Sequence, residues 1–216
     1  MRIRDRIGLS RQRQEQLTRV MQILLVGLVG LGLERGNPGI VVNASIGLAV
    51  TQLPAILERD YHIPMDPALT LWITVAVFFH ALGTAGLPGS TTNFYRSIWW
   101  WDHMTHTLSS SIVAAVGYAT ARAVELHSDS VSLPGRFMFV FILLFVLAFG
   151  VFWEVIEFAV AGVASFSGTQ SVLTQYGLGD TMLDLLFDTL GGVVVAVWGT
   201  AHLTDLTGAL AARFDR

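Results

Sequence analysis

Residues 137–153 contain no charged side chain, and the run stays apolar to Ala164 apart from Glu154 and Glu157. A helix of that composition belongs in the hydrocarbon core of a bilayer, which takes roughly 20 mostly apolar residues to cross. The feature recurs. Residues 18–33, 40–57, 68–86, 105–126 and 182–203 are further runs of this kind, six with 137–164. The expected fold class is therefore all-α, a polytopic membrane protein built as a bundle of about six transmembrane helices. The connections at 34–39, 58–67, 87–104, 127–136 and 165–181 carry turn residues such as Asn37-Pro38-Gly39, Pro64, Pro67, Pro88-Gly89 and Pro134-Gly135. No linker marks a domain boundary and no internal repeat stands out. The expected organisation is a basic cytoplasmic tail over 1–19, a transmembrane domain over 20–203 and a cytoplasmic tail over 204–216.

Composition narrows the function classes. Charged residues make up 13% of the chain, about half of the roughly 25% in soluble domains. With 53% hydrophobic residues and a mean hydropathy of +0.59, an ordinary soluble enzyme and a disordered chain are both poor descriptions. There is no Cys, so disulfide and thiolate chemistry are excluded. All 13 basic residues are Arg, which excludes a Schiff-base or P-loop lysine. A net charge of −3 gives no reason to expect a nucleic-acid partner; membrane lipids and a small-molecule or lipid substrate are the expected partners.

The first run can also be read as a signal peptide, with a basic n-region and a short apolar core. No small-residue cleavage site follows Leu33 and five apolar runs come after it, which favours a retained helix. The Arg-rich stretch before it reads as a solvated tail, or alternatively as a segment lying on the membrane surface. Arg placement sets the orientation. With the N-terminus inside, eleven Arg fall on the cytoplasmic side and only Arg35 and Arg96 outside, six of the eleven being in the N-terminal tail. The expected location is the cell membrane, multi-pass, with both termini cytoplasmic. Small residues at helical spacing, Gly39-Asn43-Gly47 and Gly27 with Gly30 and Gly32, read as close helix packing.

The acids inside these runs carry the functional signal, since ionisable residues at membrane depth are rare and usually have a role. Asp102 and His106 are four apart with His103 between them; Glu154 and Glu157 are three apart; Asp180, Asp184 and Asp188 follow a four–four spacing. Residues three or four apart share a helix face. In the six-span arrangement these groups, with His80 and Asn43, lie at one depth near the outer ends of five helices, so they are expected to line one outward-facing polar pocket. A carboxylate at the bilayer centre costs roughly 2.5–3.5 kcal/mol, and Arg96 alone cannot neutralise five acids. Either some acids share protons, or a cation sits among them. Imidazole and carboxylate without thiolate suit zinc or manganese, and a mostly oxygen set suits magnesium. The expected ligands of such a divalent metal are His80, Asp102, His106, Asp184 and Asp188, with Glu154 and Glu157 as general base or further ligands.

Each residue also has a plainer reading. His80 can be a bundle histidine satisfied by a neighbouring helix. His103, beside Trp99-Trp100-Trp101, can be interfacial. Asp102 and His106 can be an Asp–His pair at a helix start. Asp180 can be a cap, and Ser109, Ser110 and Ser111 can bond back to their own helix. Capping and surface solvation explain Glu157, Asp184 and Asp188 least well.

At these residues the chain resembles a family. His80, Tyr95, the run Trp101-Asp102-His103-Met104-Thr105-His106, then Trp153-Glu154-Val155-Ile156-Glu157-Phe158, then Gly179-Asp180-Thr181-Met182-Leu183-Asp184 with Asp188 and Gly191 look like the YjdF-like inner-membrane proteins. Those show an Asp-x-x-x-His, a Glu-x-x-Glu and a triple-Asp element in this order. The resemblance covers about residues 68–195. A more distant likeness is to VanZ-type membrane proteins, from which this chain departs in having Asp188 where they tend to have Asn, and at Glu157. The resemblance implies a membrane fold with a polar cluster, and not a reaction. Three functions stay open at this point: a metal-dependent hydrolase or transferase acting on a lipid or lipid-linked substrate, a proton- or cation-coupled transporter with His202 toward the inner end, and a structural membrane protein without catalysis.

Overall fold

The computed structural model describes residues 9–87, 92–173, 175–198 and 203–214. The start of the Arg-rich tail, the Pro88-Gly89 turn and His202 lie outside the described residues. Those described form nine helices and no strand: α1 (Arg11–Glu34), α2 (Pro38–Val50), α3 (Leu53–Tyr61), α4 (Pro67–Gly83), α5 (Phe94–Ser97), α6 (Trp101–His127), α7 (Gly135–Ser167), α8 (Leu178–Trp198) and α9 (Thr204–Phe214). The all-helical expectation is met. Three stretches are long and apolar enough to cross a membrane, Arg11–Glu34, Pro38–Tyr61 and Gly135–Ser167, with Pro67–Gly83 a shorter apolar helix. The remaining two long helices, α6 and α8, carry Asp102, His103 and His106 and the Asp180–Asp184–Asp188 series.

Local chemistry explains the boundaries. Ser10 caps α1 by accepting from the Arg13 N–H, so the helix starts well before the apolar run and takes in part of the basic tail. The run at 40–57 is not one smooth helix. Pro54 has no N–H to give to Val50 and disfavours helical backbone before it, and the chain turns at Thr51-Gln52 before α3 begins. Asn37 and Asp66 cap α2 and α4, each with a proline at the start of the helix. α7 closes at Gly168, whose φ of +67° is the left-handed end that glycine adopts without strain. Residues 204–214 form a helix, α9, packed on α6 with Leu203 and Thr207 buried.

Two apolar cores result. Leu25, Leu28, Ile40, Ala44, Phe78 and Ala81 join α1, α2 and α4. Ala114, Ala115, Met138, Ile142, Val146 and Val195 join α6, α7 and α8. The close approach of α6 and α8 depends on Gly191, where a Cβ would run into the Ser110 hydroxyl and the Thr107 carbonyl. Gly47 likewise faces the Val77 carbonyl, at 3.3 Å from an added Cβ, and Gly32 faces Val41 at 2.8 Å. The packing expectation holds at these positions and not at Gly27 and Gly30, which have open space beside them. α4 packs against α6 and joins the two groups of helices.

Candidate functional site

The i, i+4 stripes of α6 and α8 face one another, and His106 is the meeting point. Its Nδ1 lies 3.2 Å from Asp188 Oδ1. Its Nε2 lies 3.6 Å from Asp102 Oδ1 and 3.8 Å from Asp184 Oδ1. The first is a hydrogen bond; the other two are too long for one. One oxygen or nitrogen from each of Asp102, His106 and Asp184 falls within 4.8 Å of the others. His103 adds a fourth group: its Nδ1 is 3.9 Å from Asp184 Oδ1, and its ring stacks on Phe187 at 4.4 Å and 6°. Asp184 is 1% exposed, yet its Oδ1 has no hydrogen-bond partner, and neither has His103 Nδ1. Leaving a buried polar atom unpaired costs about 1–3 kcal/mol.

Glycine again permits the arrangement. A Cβ at Gly150 on α7 would meet the Asp188 carboxylate, so the bare backbone there leaves room for Asp188 to turn toward His106.

Glu154 and Glu157 occupy the adjoining face of α7 and are both buried. Glu154 Oε2 accepts from the Thr181 hydroxyl at 2.7 Å and from Gln175 Nε2 at 3.3 Å, while its Oε1 has no partner. Glu157 Oε1 accepts from Trp153 Nε1 at 3.0 Å. Neither Arg35 nor Arg96 is committed to these acids: Arg35 donates to the Ala85 carbonyl and Arg96 lies over the Tyr176 ring. Among the described residues, the only basic side chains within ion-pair distance of the cluster acids are His103 and His106.

His80 stands apart from this group. Asn43 Nδ2 donates to the Gly39 and Val172 carbonyls, both at 2.8 Å, which leaves Asn43 Oδ1 as the acceptor for His80 Nε2–H at 3.2 Å. His80 Nδ1 then accepts from the Tyr95 hydroxyl at 2.9 Å. Burial pushes the Tyr95 phenol well above its ordinary range, so it keeps the proton it donates. Both ring nitrogens of His80 are thus spoken for within the protein. Asp180, in the first turn of α8, accepts from the Tyr176 N–H of the preceding loop. Ser110 and Ser111 bond back to Thr107 and Leu108; Ser109 faces open space.

That space is a cavity of about 700 Å³ between the two helix groups, bordered by Asn43, His80, His106, Ser109, Gly150 and Asp188 on its polar side. Of the groups singled out by spacing, the structure brings Asp102, His106, Asp184 and Asp188 together and sets Glu154 and Glu157 beside them. His103 was given an interfacial reading by its tryptophan neighbours; its i, i−3 relation to His106 was the signal that tied it to the stripe.

Comparison with known proteins agrees with the fold. Residues 17–205 match the family described as "Predicted membrane protein (DUF2238)". A Thermotoga maritima protein described as "Uncharacterized protein" is 30% identical over 196 residues, covering 87% of this chain and 91% of its own. No solved structure matches.

Proposed function

The chain belongs to the DUF2238 family of predicted membrane proteins, and on that premise we propose that the α6–α8 cluster is a divalent-metal centre of a membrane-embedded hydrolase or transferase acting on a lipid or lipid-linked substrate. One observation carries this reading. Asp184 Oδ1 and His103 Nδ1 are buried and lack partners, and Asp184 Oδ1 lies 3.9 Å from His103 Nδ1 and 3.8 Å from His106 Nε2, both too long for hydrogen bonds. A cation gives each of these lone pairs a partner and offsets the acids around it.

The roles divide by geometry. Asp102, His106 through Nε2 and Asp184 are the ligands, with His103 Nδ1 as the fourth donor. Asp188 is not a ligand in this scheme. It holds His106 Nδ1–H, which fixes the ring and leaves Nε2 with its lone pair inward, the usual partnership of a carboxylate with a metal-binding histidine. Two imidazoles with two carboxylates suit zinc or manganese better than magnesium. When bound, such an ion lowers the pKa of a coordinated water toward 7. Glu154, with one oxygen held by Thr181 and the other free, is placed to take a proton, and Glu157 is held back by Trp153. In this reading the cluster end of the bundle is the outer one, which the bias of Arg toward the other side supports. His80, bonded at both nitrogens, braces α4 to α2 instead of coordinating.

The test is elemental analysis of the detergent-purified protein beside Asp184→Asn and His106→Ala, each checked for folding. Near-stoichiometric zinc or manganese in the wild type, lost in the folded variants, is the expected result. No metal in the wild type, before or after adding divalent ions back, overturns the reading.

A further inference from the structure

The cavity has walls of two characters. Away from the polar side it is apolar, with Val42 and Ile46 from α2 and Phe149, Phe152, Ile156 and Val160 from α7. Its volume of about 700 Å³ falls in the range of ligand pockets, roughly 300–1,000 Å³. The direction in which it opens is the informative feature. Toward the loop end it is covered: Val172 and Leu173 line it, and the Val172 carbonyl is tied down by Asn43 Nδ2 at 2.8 Å. Toward the flank it is open. α2 and α7 belong to different cores and make no substantial contact with each other. The wall residues that flank the gap, Ile46 and Phe152, are 58% and 60% exposed. In a membrane protein the middle of a helix bundle's flank faces lipid tails, not water.

We propose that this cavity is a binding site for the hydrocarbon chain of a bilayer lipid, entered sideways through the gap between α2 and α7. Water gains little in such a chamber, since most of its wall offers no hydrogen bond, whereas a chain already in hydrocarbon loses nothing by moving into it. The cavity's polar side chains include Ser109, His106 and Asp188 from α6 and α8, with Asn43 and His80 from α2 and α4 bonded to one another, so a chain in the cavity points its polar end toward His106 and Asp188. That this end is the reacting group rests on the metal-centre reading above. Occupancy of the cavity by a chain does not.

The test is photolabelling with a phosphatidylglycerol that carries a diazirine in mid-chain, incorporated in phosphatidylethanolamine–phosphatidylglycerol vesicles with the full-length protein. The expected result is adducts on Val113 and Val146, cavity-wall residues of which Val146 is only 1% exposed, and their loss to excess unlabelled phosphatidylglycerol. Val42→Trp and Ile46→Trp, at partly exposed positions on the α2 rim, should each lower those adducts several-fold, while Leu144→Trp on an exposed position of α7 outside the cavity leaves them unchanged. Adducts confined to outward-facing residues such as Leu144 and Phe166 in the wild type overturn the proposal. So does a rim series in which neither tryptophan changes the Val146 adduct. Running Asp184→Asn in parallel separates the two readings: Val146 adducts retained in that variant support the chain site even where no metal is found, and metal found without Val146 adducts sinks the chain site alone.

Discussion

A single hydrogen bond decides what His106 can do. With Asp188 on Nδ1 at 3.2 Å, the ring is held with Nε2 toward Asp102 and Asp184. Replacing Asp188 by Asn keeps the size and an acceptor oxygen but removes the charge that favours this orientation. Asp188→Asn should therefore weaken zinc or manganese binding by roughly 10–100-fold, read by titration calorimetry on the purified protein, without unfolding it. Asp184→Asn, which removes a proposed ligand, should abolish binding. If both variants bind as wild type does, Asp188 does not position His106. The two histidines off this axis show what spacing can and cannot reveal. The pairs Asp102/His106 and Asp184/Asp188 are legible because four residues make one helical turn. Spacing offers His103 the same stripe, three residues before His106, and says nothing of His80 on another helix. Which of them meets Asp184 depends on where α8 lands, and the stacking on Phe187 and the bonds to Asn43 and Tyr95 exist only once it has landed.

Most of the helices follow from runs of apolar residues, and their contacts follow from small ones. The breaks do not follow as readily. The turn after Val50 rests on a proline inside an otherwise apolar run, and α9 rests on burial of Leu203 and Thr207 against the body, which no local pattern announces. Glycines are also unequal in a way that sequence hides. Gly191 is wedged against the Ser110 hydroxyl and the Thr107 carbonyl, whereas Gly162 has nothing within 4 Å. Gly191→Ala should push α8 off α6 and destabilise by about 1–3 kcal/mol, with weaker metal binding because Asp184 and Asp188 ride on α8. Gly162→Ala should be neutral or slightly stabilising, since alanine is the better helix former by roughly 1 kcal/mol. Thermal unfolding in detergent, with metal titration on both variants, checks the pair. Equal stability of the two would mean that α6 and α8 have slack that the close contact at Gly191 denies.

At the scale of the molecule, the sequence leads to a polar pocket open to the outside, whereas the cavity is mostly apolar, covered at its loop end and open at the flank. It is made by an absence of packing between two helix groups, and patterns report which residues pack, not where packing stops. The same division sets where a bound ion should act. The proposed ligands come from α6 and α8 alone, so binding there would tie those two helices together without touching α1 or α2. Binding to the folded state alone adds RT ln(1 + [L]/Kd) to stability, about 2.7 kcal/mol at a hundred times Kd. That gain should be local, because it adds no contact in the Leu25–Ile40–Phe78 core. Hydrogen exchange followed with and without saturating zinc should show slower exchange in α6 and α8, where opening must now release the ion, and little change in α1 and α2, which can open without doing so. In Asp184→Asn the difference between the two conditions should vanish. Equal slowing across all helices would mean that the bundle opens as one unit and that the two cores are not independent. No slowing anywhere, with zinc bound, would place the ion outside the α6–α8 cluster.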